Sequence, residues 1–322
     1  MPASGVMARL RAAVFGVGYL GRFHAQKYAE HAGVTLVGVV DSNPQRAAEV
    51  AGEVGCAAFT DYRELLGQVD LVSIVVPTQH HFAVAKDCLL ASCHTLVEKP
   101  ITQTVAEAEE LIALAAQRNL VLQVGHLERF NPAVKALEGV LNNPLFIESH
   151  RLAPFKPRGT DVNVVLDLMI HDIDILLSLV RHPITTVNSV GLPVLSGEVD
   201  IANARLQFAN GCVANVTASR ASRETLRKIR IFQKDAYISI DYQNRSIAIF
   251  KRQPGANLIP GLPDIVMEER TFPQGDPLRD EIDAFIVSVR EGTPPVVTGE
   301  DGKRALEVAM QISSRLWHEV SA

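Results

Sequence analysis

The sequence predicts an α/β protein with an N-terminal doubly wound parallel sheet, followed by an α+β domain with an open, mostly antiparallel sheet. Three observations lead there. Residues 11–125 alternate short continuous apolar runs with helical stretches, the pattern of a parallel sheet covered on both faces. A glycine-rich turn, Gly16-Val17-Gly18-Tyr19-Leu20-Gly21, joins the first apolar run to the first helical stretch. After about residue 145 the runs give way to consecutive strands of period two with hairpin signals. The 322 residues suit two domains, expected at 8–127 and 128–322.

Residues 11–15 read as a buried strand, 20–31 as the helix after it, and 34–40 as the second strand. Pro44 opens a helix rich in Ala, Arg and Glu. Residues 71–76 are the most continuous β-type run, bounded by Asp70 and Pro77, and 94–97 and 120–124 complete the set. The helix over 104–118 has Thr104 as cap and Asn119 as stop. Further on, a helix is expected at 164–181. Ala202, Leu206 and Phe208 then alternate with polar neighbours up to the hairpin turn Asn210-Gly211, and Ala214 to Thr217 run back. Ile229 and Ile231, then Ile238 and Ile240, continue the alternation. Helices near 278–291 and 300–317 close the chain, the last with Leu306, Met310, Ser313 and Trp317 at helical spacing. The proline-rich stretch 254–263 reads as an exposed loop, and residues 1–7 as a disordered leader without signal-peptide character.

With 47% hydrophobic residues the chain can build a sizeable core without staples. A net charge of −5 and a pI near 6.1 argue against a general binder of nucleic acid or membrane surfaces. No apolar run reaches membrane-spanning length. Cys56, Cys88, Cys93 and Cys212 lack metal-type spacing and read as reduced packing residues of a cytoplasmic protein.

The glycine turn follows a strand and opens a helix, the context in which a pyrophosphate meets a helix N-terminus. Gly16, Gly18 and Gly21, with Tyr19 and Leu20 between them, are candidate cofactor contacts. Asp41 ends the second strand, where a carboxylate accepts from ribose hydroxyls and repels a 2′-phosphate; Ser42, Asn43 and Pro44 place no arginine beside it, which favours NAD over NADP. The same residues also suit a packing turn with Asp41 as the helix cap. Pro77, Thr78 and His81 follow the fourth strand, where the nicotinamide ribose would lie; His80 and His81 equally suit the start of the next helix.

Lys99, in Glu98-Lys99-Pro100, stands at the carboxyl end of a sheet strand beside the dinucleotide site, where it can reach both cofactor and substrate. A lysine there can donate to a reacting oxygen and stabilise an alkoxide, with Glu98 orienting it or binding the nicotinamide ribose. It can also be an ordinary surface lysine before a proline. Asp167 and His171 are four apart on an expected helix and share a face, so the imidazole can take a hydroxyl proton while the carboxylate orients it. That spacing also fits a surface pair or a satisfied core histidine. A metal site at His171, Asp172 and Asp174 ranks low because the paired histidines usual for zinc or iron are missing.

In one order along the chain, the glycine turn, Asp41, Pro77-Thr78 with His81, Glu98-Lys99-Pro100 and Asp167 with His171 resemble the Gfo/Idh/MocA oxidoreductase family. The resemblance implies a Rossmann domain, an NAD cofactor, and dimers or tetramers packed through the C-terminal sheet. It also implies catalytic roles for Lys99, Asp167 and His171. Thr78 departs from the asparagine of many members. A narrower resemblance is to the UDP-N-acetylglucosamine 3-dehydrogenase branch of lipid A biosynthesis. It rests on His126, Arg129 and Asn131, on the stretch from His150 and Arg151 through Lys156 and Arg158 to Asp161, and on Thr217 to Arg220. It implies that His126, Arg129, Asn131, Arg151, Arg158 and His171 bind a nucleotide sugar. The basic cluster around Arg158 suits a diphosphate, and a solvated basic loop would look the same. A polyol dehydrogenase of the inositol type and a non-catalytic NAD-sensing protein are the competing readings. The second would be favoured by loss of the lysine or histidine, and both are present.

Overall fold

The computed structural model describes residues 8–156, 162–252 and 265–316. The expected leader, the proline-rich stretch 254–263, Arg158 and Trp317 lie outside the described residues. The chain divides into two compact units. One runs to Leu127 and includes Leu278–Lys303; the other comprises Glu128–Pro277 and the chain from Arg304 onward.

In the first unit β1 (Leu10–Phe15), α1 (Tyr19–Glu30), β2 (Val34–Val40), α2 (Pro44–Val54), β3 (Ala57–Phe59), β4 (Leu71–Ile74), α3 (His81–Leu90), β5 (His94–Glu98), α4 (Val105–Gln117) and β6 (Leu122–Gly125) follow in order. The strands form one parallel sheet, β3-β2-β1-β4-β5-β6. This is the doubly wound order, and its direction reverses between β1 and β4, so the turns after those two strands flank the ligand crevice. The last four residues of β1 and all of β4 are buried, as strands covered on both faces must be. Asn43, not Asp41, caps α2, accepting from the backbone N–H groups of Gln45 and Arg46. Thr104 and Glu107 form a capping box on α4.

The second unit holds α5 (Pro132–Lys135), β7 (Pro144–Leu152), a π-helical turn (Val165–Met169), α6 (Ile170–Leu179), β8 (Ile184–Leu192), β9 (Ile201–Phe208), β10 (Val213–Ser219), β11 (Leu226–Gln233), β12 (Ala236–Asp241), β13 (Ser246–Arg252) and β14 (Ile265–Thr271). The sheet order is β14-β13-β12-β11-β7-β10-β9-β8, antiparallel except where β7 runs parallel to β10. One face packs Ile147, Ala204, Leu206, Ile231 and Ile249 against Ile170, Ile173 and Leu177 of α6 and against Ala309 and Ile312. The opposite face carries a half-buried aromatic ladder of Phe146, Phe232, Tyr237 and Phe250, with successive ring centroids 5.8, 4.9 and 5.3 Å apart.

The expected continuous second domain, 128–322, is interrupted. In α7 (Pro277–Glu291), Leu278, Ile282, Phe285 and Ile286 form a stripe buried with Ala12, Val14, Val34, Leu71 and Leu96 of the first sheet. Helix α8 (Gly299–Ser313) begins in the first unit and ends in the second. No helix among the described residues is long and apolar enough to cross a membrane.

Candidate active site

The three glycines of the turn after β1 each answer a different constraint. Gly16 has φ +84°, and a Cβ there would sit 2.7 Å from the backbone of Val75. A Cβ on Gly21 would lie 1.8 Å from the carbonyl oxygen of Gly16, so α1 can close onto the turn only with glycine. Gly18, at the N-terminus of α1, has nothing within 4 Å of that position, which leaves bare backbone where a pyrophosphate approaches. Tyr19 is 69% exposed and Leu20 half-buried at the mouth of the turn.

Asp41 ties this turn to the end of β2. Its Oδ2 accepts from the N–H of Val17 at 3.0 Å and its Oδ1 from the N–H of Asn43 at 3.0 Å. One basic residue escaped the reading of positions 42–44. Arg46 donates to the carbonyl oxygens of Val17 at 2.7 Å and Gly18 at 3.1 Å, and pairs with Glu49 at 2.8 Å. The start of a helix at Pro44 was the available signal, since it turns the third residue of that helix back toward the glycines. Arg46 is thus engaged by the turn itself, and the bare Gly18 backbone, the glycine cradle and Asp41 fit an NAD molecule. Asp41→Ser is expected to weaken NAD binding about tenfold, the worth of one charge-assisted hydrogen bond, and to narrow the preference over NADP. Calorimetry with both dinucleotides measures it.

The turn after β4 puts Pro77 in solvent and Thr78 half-buried. His81, expected beside the cofactor, staples two turns together. It is 1% exposed, and its two ring nitrogens lie 2.8 Å from the carbonyl oxygens of Val76 and Pro100. Burial holds its pKa below the usual histidine range, against the opposing pull of those carbonyls and Glu98. The staple joins the β4 turn to the Lys99-Pro100 turn, whose peptide bond is cis. Lys99 is half-buried at the end of β5. Glu98 accepts from the Lys99 N–H at 3.3 Å, and its carboxylate faces inward, 3.3 Å from Nε2 of the fully buried His24. In that orientation Glu98 braces the lysine turn from within.

In the second unit the expected single α-helix over 164–181 begins instead as a π turn, capped by the Asn163 side chain at the N–H groups of Val165 and Leu166. Asp167 lies in the π turn and His171 at the start of α6, and both are half-buried. A π turn is wider than an α turn, so residues four apart come closer to eclipsing, and such insertions gather at functional sites.

Asp172 and Asp174, each 1% exposed, hold neighbouring cations. Asp172 accepts from Ser149 at 2.8 Å and from Arg151 Nε at 2.6 Å, and Arg151 also pairs with Glu128 at 3.1 Å. Asp174 takes both prongs of Arg129 at 2.6 and 2.8 Å. Asn131 is buried as the cap of α5 and donates to the Tyr242 carbonyl. His126 is 1% exposed. Of the expected substrate set, Arg151 and Asn131 make these contacts within the second unit, His126 is buried, and Arg129 is half-buried on Asp174.

Comparison with known proteins completes the picture. Residues 10–126 match the oxidoreductase family with an NAD-binding Rossmann fold, and residues 138–239 match the GFO/IDH/MocA C-terminal domain. The chain is 44% identical over 307 residues to the UDP-N-acetylglucosamine 3-dehydrogenase of Acidithiobacillus ferrooxidans, covering 95% of this chain and 97% of that protein. The solved structure of an Acidithiobacillus ferrooxidans UDP-N-acetylglucosamine 3-dehydrogenase matches at a TM-score of 0.89 and 42% identity, over 96% of this chain and 98% of the other. The myo-inositol 2-dehydrogenase of Thermotoga maritima is 25% identical, over 92% of this chain and 93% of that protein. With both domains matched and the glycine cradle in place, the chain belongs to the Gfo/Idh/MocA family and is an NAD-dependent dehydrogenase.

Proposed function

We propose that this protein oxidises the C3 hydroxyl of UDP-N-acetylglucosamine to a ketone with NAD. The keto sugar would then be aminated on the way to lipid A in the cytoplasm. The observation that carries the reading is the 44% identity, nearly end to end, with a dehydrogenase of that substrate, against 25% for myo-inositol 2-dehydrogenase. Homo-oligomers, dimers or tetramers, would pack through the second sheet. The aromatic ladder on its open face supports this, since stacked, half-buried rings are an apolar surface in want of cover.

NAD, when bound, accepts the hydride from the carbinol carbon. His171 takes the hydroxyl proton, and Asp167, on the same face of the helix, orients the imidazole and steadies its charged form. Lys99 donates to the reacting oxygen as negative charge builds on it. His171→Ala is expected to lower kcat by about 10²–10⁴-fold with NAD affinity unchanged; undiminished turnover defeats the assignment.

A polyol is the second reading, favoured by the burial of Arg151, which withdraws a cation from any diphosphate site. Incubating the protein with NAD and a panel of UDP-sugars and polyols, reading absorbance of the reduced cofactor, separates the two. Mass analysis of the keto product places the oxidised carbon. Turnover of inositol without turnover of UDP-N-acetylglucosamine overturns the proposal.

A further inference from the structure

Behind the Glu98-Lys99-Pro100 turn, buried polar side chains from four elements of the first unit converge. Glu281 of α7 is fully buried, and neither carboxyl oxygen has a hydrogen-bond partner. His24 of α1, Glu98 of β5 and Glu281 each bring one nitrogen or oxygen within 4.8 Å of the others. Gln123 of β6 donates to the backbone carbonyl of Glu281 at 3.1 Å, while its own Oε1 lacks a partner. Two carboxylates this close and shut away from water cannot both ionise at neutral pH. A proton on one of them turns an acceptor-only group into a donor, in a cluster that has acceptors to spare.

We propose that Glu281 is a neutral carboxylic acid packed beside Glu98 and, through that neighbour, positions the Lys99 turn. The backbone has made room for this. A Cβ on Gly125 would lie 2.7 Å from the Glu98 carboxyl carbon, so only glycine lets that carboxylate turn inward. Glu98 then accepts the Lys99 N–H, while His81 fixes Pro100 from the other side. The groups facing Glu281 are His24 and Tyr28 of α1, Glu98 of β5 and Gln123 of β6, with His81 of α3 behind Glu98. Burial first, and the nearness of Glu98 second, push Glu281 well above the usual carboxylate range.

The sign of the pH effect follows. The unfolded chain gives up this proton near pH 4.3, about the free glutamate value, and the native protein keeps it. The stability it contributes is full below that pH and is lost as pH rises toward the folded value. The positioning half of the proposal rests on the role proposed for Lys99; the proton half does not.

Glu281→Gln copies the neutral acid and cannot ionise. Its melting temperature is expected to match the wild type within about 2 °C at mildly acid pH and to exceed it by a growing margin as pH rises. Its kcat stays within about twofold of wild type, whereas Glu281→Leu, which takes the polar neighbour away from Glu98, loses about tenfold in kcat through the shifted turn. The wild type at neutral pH should show the infrared carbonyl band of a buried protonated carboxyl, missing in Glu281→Gln. Absence of that band in the wild type overturns the proton half, as does a Gln variant destabilised at every pH. A stoichiometric divalent cation found in the purified wild type by elemental analysis also overturns it, because His24, Glu98 and Glu281 would then be its ligands. Wild-type kcat in Glu281→Leu overturns the positioning half.

Discussion

Replacing Lys99 by alanine is expected to lower kcat for UDP-N-acetylglucosamine oxidation by about 10²–10⁴-fold, with NAD affinity held within about twofold of wild type. The size follows from the task. A developing alkoxide needs a donor in place before charge builds, and one such donor is worth about 10²–10³ in rate; a share in moving the proton adds to that. The selectivity follows from position. Lys99 closes β5, while the pyrophosphate cradle is built from Gly16, Gly18 and Gly21 after β1, so removing the ammonium leaves the cradle intact. Lys99→Arg should not rescue, because a guanidinium cannot give up a proton in the working pH range and presents a planar fork instead of a compact point charge. Steady-state kinetics together with calorimetric titration of NAD measure both halves. Turnover equal to wild type, or NAD binding lost along with it, would remove Lys99 from the chemistry.

Much of this was legible before any coordinates, for a physical reason. Parallel strands buried on both faces must be continuous apolar runs, so residues 71–74 announce β4 without ambiguity. Glycines required by a backbone contact cannot be hidden by substitution, and the turn at Gly16–Gly21 declares the cofactor. Strand β3, three residues long at a sheet edge, and β14, exposed along its whole length, carry no burial pattern and left no trace. The stripe on α7 shows that the helix is buried but not against which sheet. Glu281 sits within that stripe as an ordinary glutamate, since the partners that keep it neutral come from α1, β5 and β6. The π turn at Val165–Met169 is equally silent, because its residues would suit an α-helix as well.

Arg151→Ala is expected to cost about 3–5 kcal/mol of stability, a fall in melting temperature on the order of 10 °C for a unit of this size. In β7 the buried parity runs through Ile147, Ser149 and Arg151, so the guanidinium enters the core and not the loop beyond. The period-two alternation from Ile147 through Ser149 to Arg151 is the sequence signal for this placement. Burial by itself would pull the guanidinium toward neutrality; Asp172 and Glu128 outweigh it, and the net direction is upward. Tyr242 adds its ring face 5.8 Å away. Alanine leaves Asp172, 1% exposed, with the Ser149 hydroxyl at 2.8 Å and an uncompensated charge in the core. Arg151→Met combined with Asp172→Asn removes both charges and should recover part of the loss. Thermal denaturation separates this from a substrate contact. A residue that grips the diphosphate would raise KM for the nucleotide sugar on substitution at an unchanged melting temperature, and that result would place Arg151 in the binding site.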